Sequence, residues 1–165
     1  METNYYPLRK GWTYHYAYVD QHQLRPVVVR EDRTVKNVVH HGDVTTAEIV
    51  VRRGTGRSWI KEVRVTPEGV WVDGLLEIKL PLRGNLEWEV DHKFFMRRVL
   101  STDGKAPGIS RGFYFERCLE IRAGNAENSG FRIYSVGHGL VREEWSGEDE
   151  DMTLVLLDIE KPEKR

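Results

Sequence analysis

The chain has 165 residues, of which 39% are apolar, 31% charged and 10% aromatic, a length that favours one compact domain. Leu, Ile, Val and Phe make up about 27% of it, above the ~20% level below which disorder is expected, and Gly and Pro are too few for a collagen-like or low-complexity chain. The formal net charge of −1 argues against a dedicated nucleic-acid binder, which would carry a basic stripe and a high pI.

The charge is unevenly placed: residues 1–66 carry 11 basic and 7 acidic side chains, residues 140–165 carry 4 and 9. Glu148-Asp149-Glu150-Asp151 reads as a solvated turn between strands, since it lacks the Gly-spaced oxygen pattern that a hard cation wants. Cys118 is the single cysteine, so no intramolecular disulfide or Cys-based zinc site can form. Beside Phe115, Leu119 and Ile121 it reads as a small buried hydrophobe. No run approaches ~18 apolar residues, and residues 1–25 show no charged n-region followed by an apolar h-region. No transmembrane segment is therefore expected. As written the chain is expected in the cytoplasm, with a mature exported or periplasmic domain, its leader removed, as the alternative.

In chain order, Trp12, Tyr14, Tyr16 and Tyr18 alternate strictly, which places four aromatics on one face of a first strand and His15 on the other, exposed. Strand-like stretches follow at Val27–Arg30, Thr34–His40, Val44–Arg53, Trp59–Thr66 and Val70–Leu80, then Leu86–Val90, Gly112–Arg122, Phe131–Val136, Leu140–Trp145 and Met152–Ile159. Turn signals separate them: His41-Gly42-Asp43, Arg53-Gly54-Thr55-Gly56, Pro67-Glu68-Gly69, Arg83-Gly84-Asn85, Thr102-Asp103-Gly104 and Gly124-Asn125. Leu86–Leu100 is ambiguous. Leu86, Val90 and Phe94 have helical spacing, as do Phe95 and Val99, yet Trp88 and Val90 alternate; the reading taken is a strand followed by a second strand. The fold class is all-β: one domain over residues 1–165, an antiparallel, strongly curved sheet or incomplete barrel of eight to ten strands. At most one short helix is expected, and 161–165 reads as a disordered tail.

Catalytic patterns are missing. There is no G-x-S-x-G elbow, phosphate-binding loop or dinucleotide fingerprint. No H-x-H pair offers a strand-borne metal site, so no cofactor and no metal are expected. Glu116 and Glu120 alternate with Cys118 on one strand face, and the reading taken is an ordinary solvated face, with an acid pair as the alternative. An enzymatic reading would need these carboxylates to converge with His92 and His138.

The aromatics are the most informative letters. The five Trp have a plain reading as packing of one sheet face. Their functional reading is a concave surface, lined by Trp12, Tyr14, Tyr16, Tyr18, Trp71 and Trp88, that holds an apolar small molecule or lipid.

Three stretches carry a resemblance. Tyr5-Tyr6-Pro7-Leu8-x-x-Gly11-Trp12-x-Tyr14 resembles the Y-F-P-L-x-x-G-x-x-W-x-Y opening of a loose group of small, mostly uncharacterised bacterial β-rich proteins, many exported or lipid-anchored, although this chain lacks two residues between Gly11 and Trp12. Tyr134-Ser135-Val136-Gly137-His138-Gly139-Leu140-Val141-Arg142-Glu143-Glu144 is similar to their Y-x-x-G-V-G-L-V-x-x-E close, with His138 in place of Val. Phe115-x-x-Cys118-Leu119-Glu120-Ile121 resembles their F-x-x-C-L-x-V strand. The resemblance implies a strongly curved antiparallel sheet, similar to lipoprotein-carrier or lipocalin-like half-barrels, and no known active site. Gly137 and Gly139 would let a strand kink and re-aim Leu140 and Val141 into the core. The expected function is a non-enzymatic binding protein for an apolar or amphipathic ligand. The alternative is an interaction or assembly module with a packed core, such as a homodimer through an edge strand.

Overall fold

Alternating aromatics build the first strand, β1 (Thr13–Asp20), on which Tyr14, Tyr16 and Tyr18 are buried on one side. The structure is a computed structural model that describes residues 4–22, 24–90, 96–108, 112–125, 127–148 and 150–164. The strands that follow are β2 (Val27–His41), β3 (Val44–Arg53), β4 (Arg57–Thr66), β5 (Gly69–Val72), β6 (Leu75–Lys79) and β7 (Glu87–Glu89). The last five are β8 (Met96–Pro107), β9 (Tyr114–Gly124), β10 (Ser129–Ser135), β11 (Gly139–Ser146) and β12 (Asp151–Glu160). No helix occurs among the described residues.

All pairing is antiparallel, in the order β6-β5-β4-β3-β2-β1-β12-β11-β10-β9-β8-β7. The sheet is a continuous meander in each half, joined where β1 meets β12, and it curls into a nearly closed barrel. Twelve strands replace the expected eight to ten. Val70–Leu80 is two strands, because Asp73 (φ 50°) and Gly74 (φ 80°) adopt the left-handed pair that reverses a hairpin. Thr102-Asp103-Gly104, read as a turn, lies inside β8, where the register against β9 slips three times instead of reversing. Val27–Arg30 and Thr34–His40 run together as β2. In Leu86–Leu100 the described residues are strand at Glu87–Glu89 and from Met96 onward; Phe94 and Phe95 lie outside the described residues.

The edge strands β6 and β7 have no ladder between them, and side chains bridge the gap. The Trp88 indole Nε1 on β7 donates to the Leu76 carbonyl at 2.9 Å, and Arg97 Nη1 on β8 donates to the Glu77 carbonyl at 3.3 Å. At the upper end, where β1 begins, the segment before β1 lies across the mouth. Gly137 N donates to Asn4 O at 2.9 Å, Arg9 Nη1 to Gly137 O at 2.9 Å, and Gly11 N to Val35 O at 2.8 Å. Gly137 and Gly139, expected to kink a strand, instead make the β10–β11 reversal, both at positive φ, with Ser135 paired to Gly139.

The inner face mixes Val35, Val51, Val63, Val99, Leu119, Ile121 and Leu154, all buried, with charged groups described below. Arg117 (φ 52°) puts a left-handed step into β9; Cys118, read as a small buried hydrophobe, is buried, and so is Leu119. Strict alternation would have put Cys118 with Glu116 on the outer face. Leu154 is fully enclosed. Leu154→Ala is expected to cost about 2–5 kcal/mol of unfolding free energy in guanidinium titrations.

Candidate functional site: a charged belt inside the barrel

On β2 the inward positions run Val29, Glu31, Arg33, Val35, because Arg33 and Val35 stand opposite Val51 and Ile49. The same registers turn Lys61 of β4 inward opposite Ile49, and Arg132 of β10 inward opposite Ile121 and Glu143. Among the described residues, five cations (Arg33, Arg53, Lys61, Arg97 and Arg132) and three carboxylates (Glu31, Glu77 and Glu143) thus form a belt inside the barrel wall.

Glu77 is the centre of one group. It takes Arg97 Nη1 at 3.0 Å, Arg132 Nε at 3.2 Å and the Tyr134 hydroxyl at 2.6 Å. Arg132 also reaches Glu143, at 3.4 Å. Burial alone would raise the Glu77 pKa, but Arg132, Arg97 and the Tyr134 hydrogen bond outweigh it and hold the carboxyl far below the usual range. Glu31, with no exposed surface, accepts from Arg33 Nε at 2.8 Å and Arg53 Nε at 2.7 Å. Its pKa is likewise lowered: burial opposes ionisation, and the two arginines prevail.

The aromatic row borders this belt. The Tyr16 hydroxyl donates to Leu140 O at 2.7 Å, and the Arg33 guanidinium lies 5.1 Å from its ring. Arg53 stacks on Tyr18 at 3.6 Å. The Tyr18 hydroxyl donates to Glu150, and burial together with that carboxylate pushes its pKa up to about 12. Trp12 is half-buried under Arg9 and Lys161, and Trp88 is buried at the seam. Trp71 is not with them. Val70 and Val72, paired with Val65 and Val63, take the inner face, so Trp71 lies outside, with the Arg64 guanidinium 4.6 Å from its ring.

The lumen is not filled. A recess of about 320 Å³ opens at the upper end beside Tyr5, Tyr6, Leu8, Thr45, Val70 and Ile78. A second, of about 220 Å³, lies at the lower end beside Leu75, Val90, Met96, Arg97, Arg132 and Trp145. Arg33, Glu143 and Arg132 keep 12%, 16% and 21% of their side-chain surface open, and on inward-facing residues that surface borders the lumen.

His15, expected exposed, is buried on the outer face. Its Nδ1 is 2.5 Å from Asp32 of β2 and its Nε2 is 2.8 Å from Glu160 of β12. Burial works against the imidazolium, yet hydrogen bonds to Asp32 and Glu160 raise the pKa, with Arg30 opposing. Glu116 is exposed, Glu120 is on the outer face and His138 sits in the β10–β11 turn against Phe115; His92 lies outside the described residues. Ser135 Oγ lies 3.0 Å from the Glu116 carbonyl oxygen and 3.4 Å from His138 Nδ1, while the Glu116 carboxylate is exposed beside Lys105.

The belt was missed in the sequence because alternation gives two faces without saying which is inside. The available signal was charge at Glu31, Arg33, Lys61 and Arg132, each two residues from a branched or aromatic position of the same strand face.

These features define a nearly closed, twelve-stranded antiparallel barrel with a charged lumen. No family model and no curated protein matches the chain. Among solved structures it is similar to a candidate exported protein with a YmcC-like fold from Bacteroides fragilis, with TM-score 0.60 and 11% identity over 97% of this chain and 100% of that one. It is also similar to a candidate lipoprotein from Parabacteroides distasonis, with TM-score 0.54 and 13% identity over 96% and 99% of the two chains. At such identities the likeness is one of fold. Both neighbours agree with the loose group of exported, β-rich bacterial proteins that the terminal motifs resemble.

Two outcomes are expected. Glu77→Gln leaves buried Arg97 without a carboxylate and Arg132 with Glu143 alone, and should cost about 3–5 kcal/mol in denaturant unfolding. The raised pKa of His15 means that its stabilising contribution is complete below roughly pH 6.5 and is lost as pH rises through the folded value. The melting-temperature gap between the native protein and His15→Gln should therefore shrink on going from roughly pH 6 to pH 9.

Proposed function

We propose that the protein is a non-enzymatic binding protein that holds a small amphipathic molecule inside its barrel. The observation that carries this reading is the unfilled lumen: recesses of about 320 and 220 Å³ lie at its two ends, either side of the charged belt, near the lower range of ligand sites. The upper recess combines Tyr5, Tyr6, Leu8, Val70 and Ile78 with the polar rim of Asn4, His40 and Thr45, a lining suited to an apolar body with a polar tip. Of the aromatic row, Tyr14 and Tyr16 stand beneath this end, next to Tyr6, so they belong to the proposed wall together with Tyr18, Trp12 and Trp88. Trp71, on the outer face, is left out of it.

The exposure of the Glu116 carboxylate and the outward placement of Glu120 support a non-enzymatic reading. The names of the two structural neighbours, one exported and one a lipoprotein, favour an exported compartment over the cytoplasm. No helix among the described residues is long and apolar enough to cross a membrane. A homodimer through an edge strand has less support, because β6 and β7 turn their edges towards each other through Trp88 and Leu76.

The test is titration with the fluorescent amphiphile N-phenyl-1-naphthylamine. Saturable binding with a blue-shifted emission is expected. Thr45→Trp, which fills the upper recess, should weaken it about tenfold, or about 1.4 kcal/mol, without lowering the melting temperature. Absence of saturable binding, or binding indifferent to Thr45→Trp, would refute occupancy of the upper recess.

A further inference from the structure

Among the described residues, the belt holds more cationic than carboxylate side chains. Glu31 serves two arginines, Glu77 serves two, and Glu143 shares Arg132 with Glu77. Lys61 has no carboxylate within ion-pairing distance among the described residues. Burial lowers its pKa, with Arg33 and Arg132 repelling it and Glu143 and Glu77 only partly compensating. Arg97, itself 93% buried by its 7% exposure, keeps its Nε without a hydrogen-bond acceptor. Unpaired cationic donors inside a protein wall are costly unless something anionic reaches them.

The lower recess places that demand beside a path to solvent. Arg97 and Arg132 are its charged lining, with Val90 and Trp145 beside them and Leu75 and Met96 at a rim where both are exposed. Glu77 and Glu143 already pair with these two arginines, so the floor offers their remaining N–H donors, under an apolar rim, to a molecule with an acidic head and an apolar chain. A guanidinium pair presents the planar fork that carboxylates and phosphates accept.

We propose that the lower recess receives one acidic group, a carboxylate or a phosphate monoester, on the Arg97–Arg132 floor, with the Leu75–Met96 rim against the attached chain. This rests on reading the barrel as a binding protein and names the ligand class for it. The bound anion would take up arginine N–H donors that Glu77 and Glu143 leave over.

Isothermal titration of the full chain with dodecanoate, dodecanol and acetate tests the proposal. Dodecanoate should bind about tenfold or more tightly than dodecanol, and acetate far more weakly than either. Met96→Glu, at the exposed rim, sets a negative charge beside the acidic head and should weaken dodecanoate about tenfold while leaving the melting temperature unchanged. Arg97→Lys, which keeps the charge and removes the fork, should also weaken dodecanoate selectively. Equal binding of dodecanol and dodecanoate would overturn the acidic-head assignment and leave the binding reading standing. Acetate binding as tightly as dodecanoate would overturn the role of the rim. Failure of both long-chain probes would overturn the proposal and, where the naphthylamine also fails, the binding reading with it.

Discussion

Glu77 is the constraint on which the barrel depends. A meander with β6 at one edge and β7 at the other has no ladder to close it, and the β6 edge must be held by something else. A single carboxylate on β6 reaches Arg97 on β8 and Arg132 and Tyr134 on β10, so the first half of the chain is fastened to the second through one buried group. The Trp88 indole on the Leu76 carbonyl adds a neutral bond at the same seam. Ionised groups in such a place are stable only as a complete set, because each partner removed leaves a charge without compensation.

Closing the sheet in this way shapes the interior. Guanidiniums long enough to cross from wall to wall cannot pack as aliphatic side chains do, and their exposed remainder borders the recesses instead of a dry core. The apolar part of the interior, around Leu119, Ile121, Leu154 and Val99, supports the wall without filling the lumen. Opposite the seam, β1 joins the two halves by hydrogen bonding to both β2 and β12. There His15 links Asp32 and Glu160 from outside. One electrostatic device therefore works in the interior and the other at the surface, and their protonation responses run in opposite senses: Glu77 is needed ionised and His15 protonated.

Much of the architecture was legible in the letters. The period-two rows of β1, the scarcity of helix formers and the Gly-bearing turns gave an antiparallel, curved sheet, and Tyr14, Tyr16 and Tyr18 do face inward. Where backbone conformation broke the period, the reading failed. Cys118 is buried as its apolar neighbours implied, but Asp73-Gly74 folds one run into two strands, and the slips in β8 absorb what looked like a turn. A left-handed residue other than glycine leaves little trace in composition, so a one-residue change of face passes unseen.

The sequence by itself determined the strand content, the inward aromatic row and the expectation of a curled sheet, because period and propensity are local properties of the chain. Only the tertiary structure decided that Glu31, Arg33, Lys61, Glu77, Arg97, Arg132 and Glu143 meet inside one wall. Their neighbourhood depends on register between strands as far apart as β2, β6 and β10. A charged side chain carries no mark of the face it will occupy until its strand has found partners on both sides.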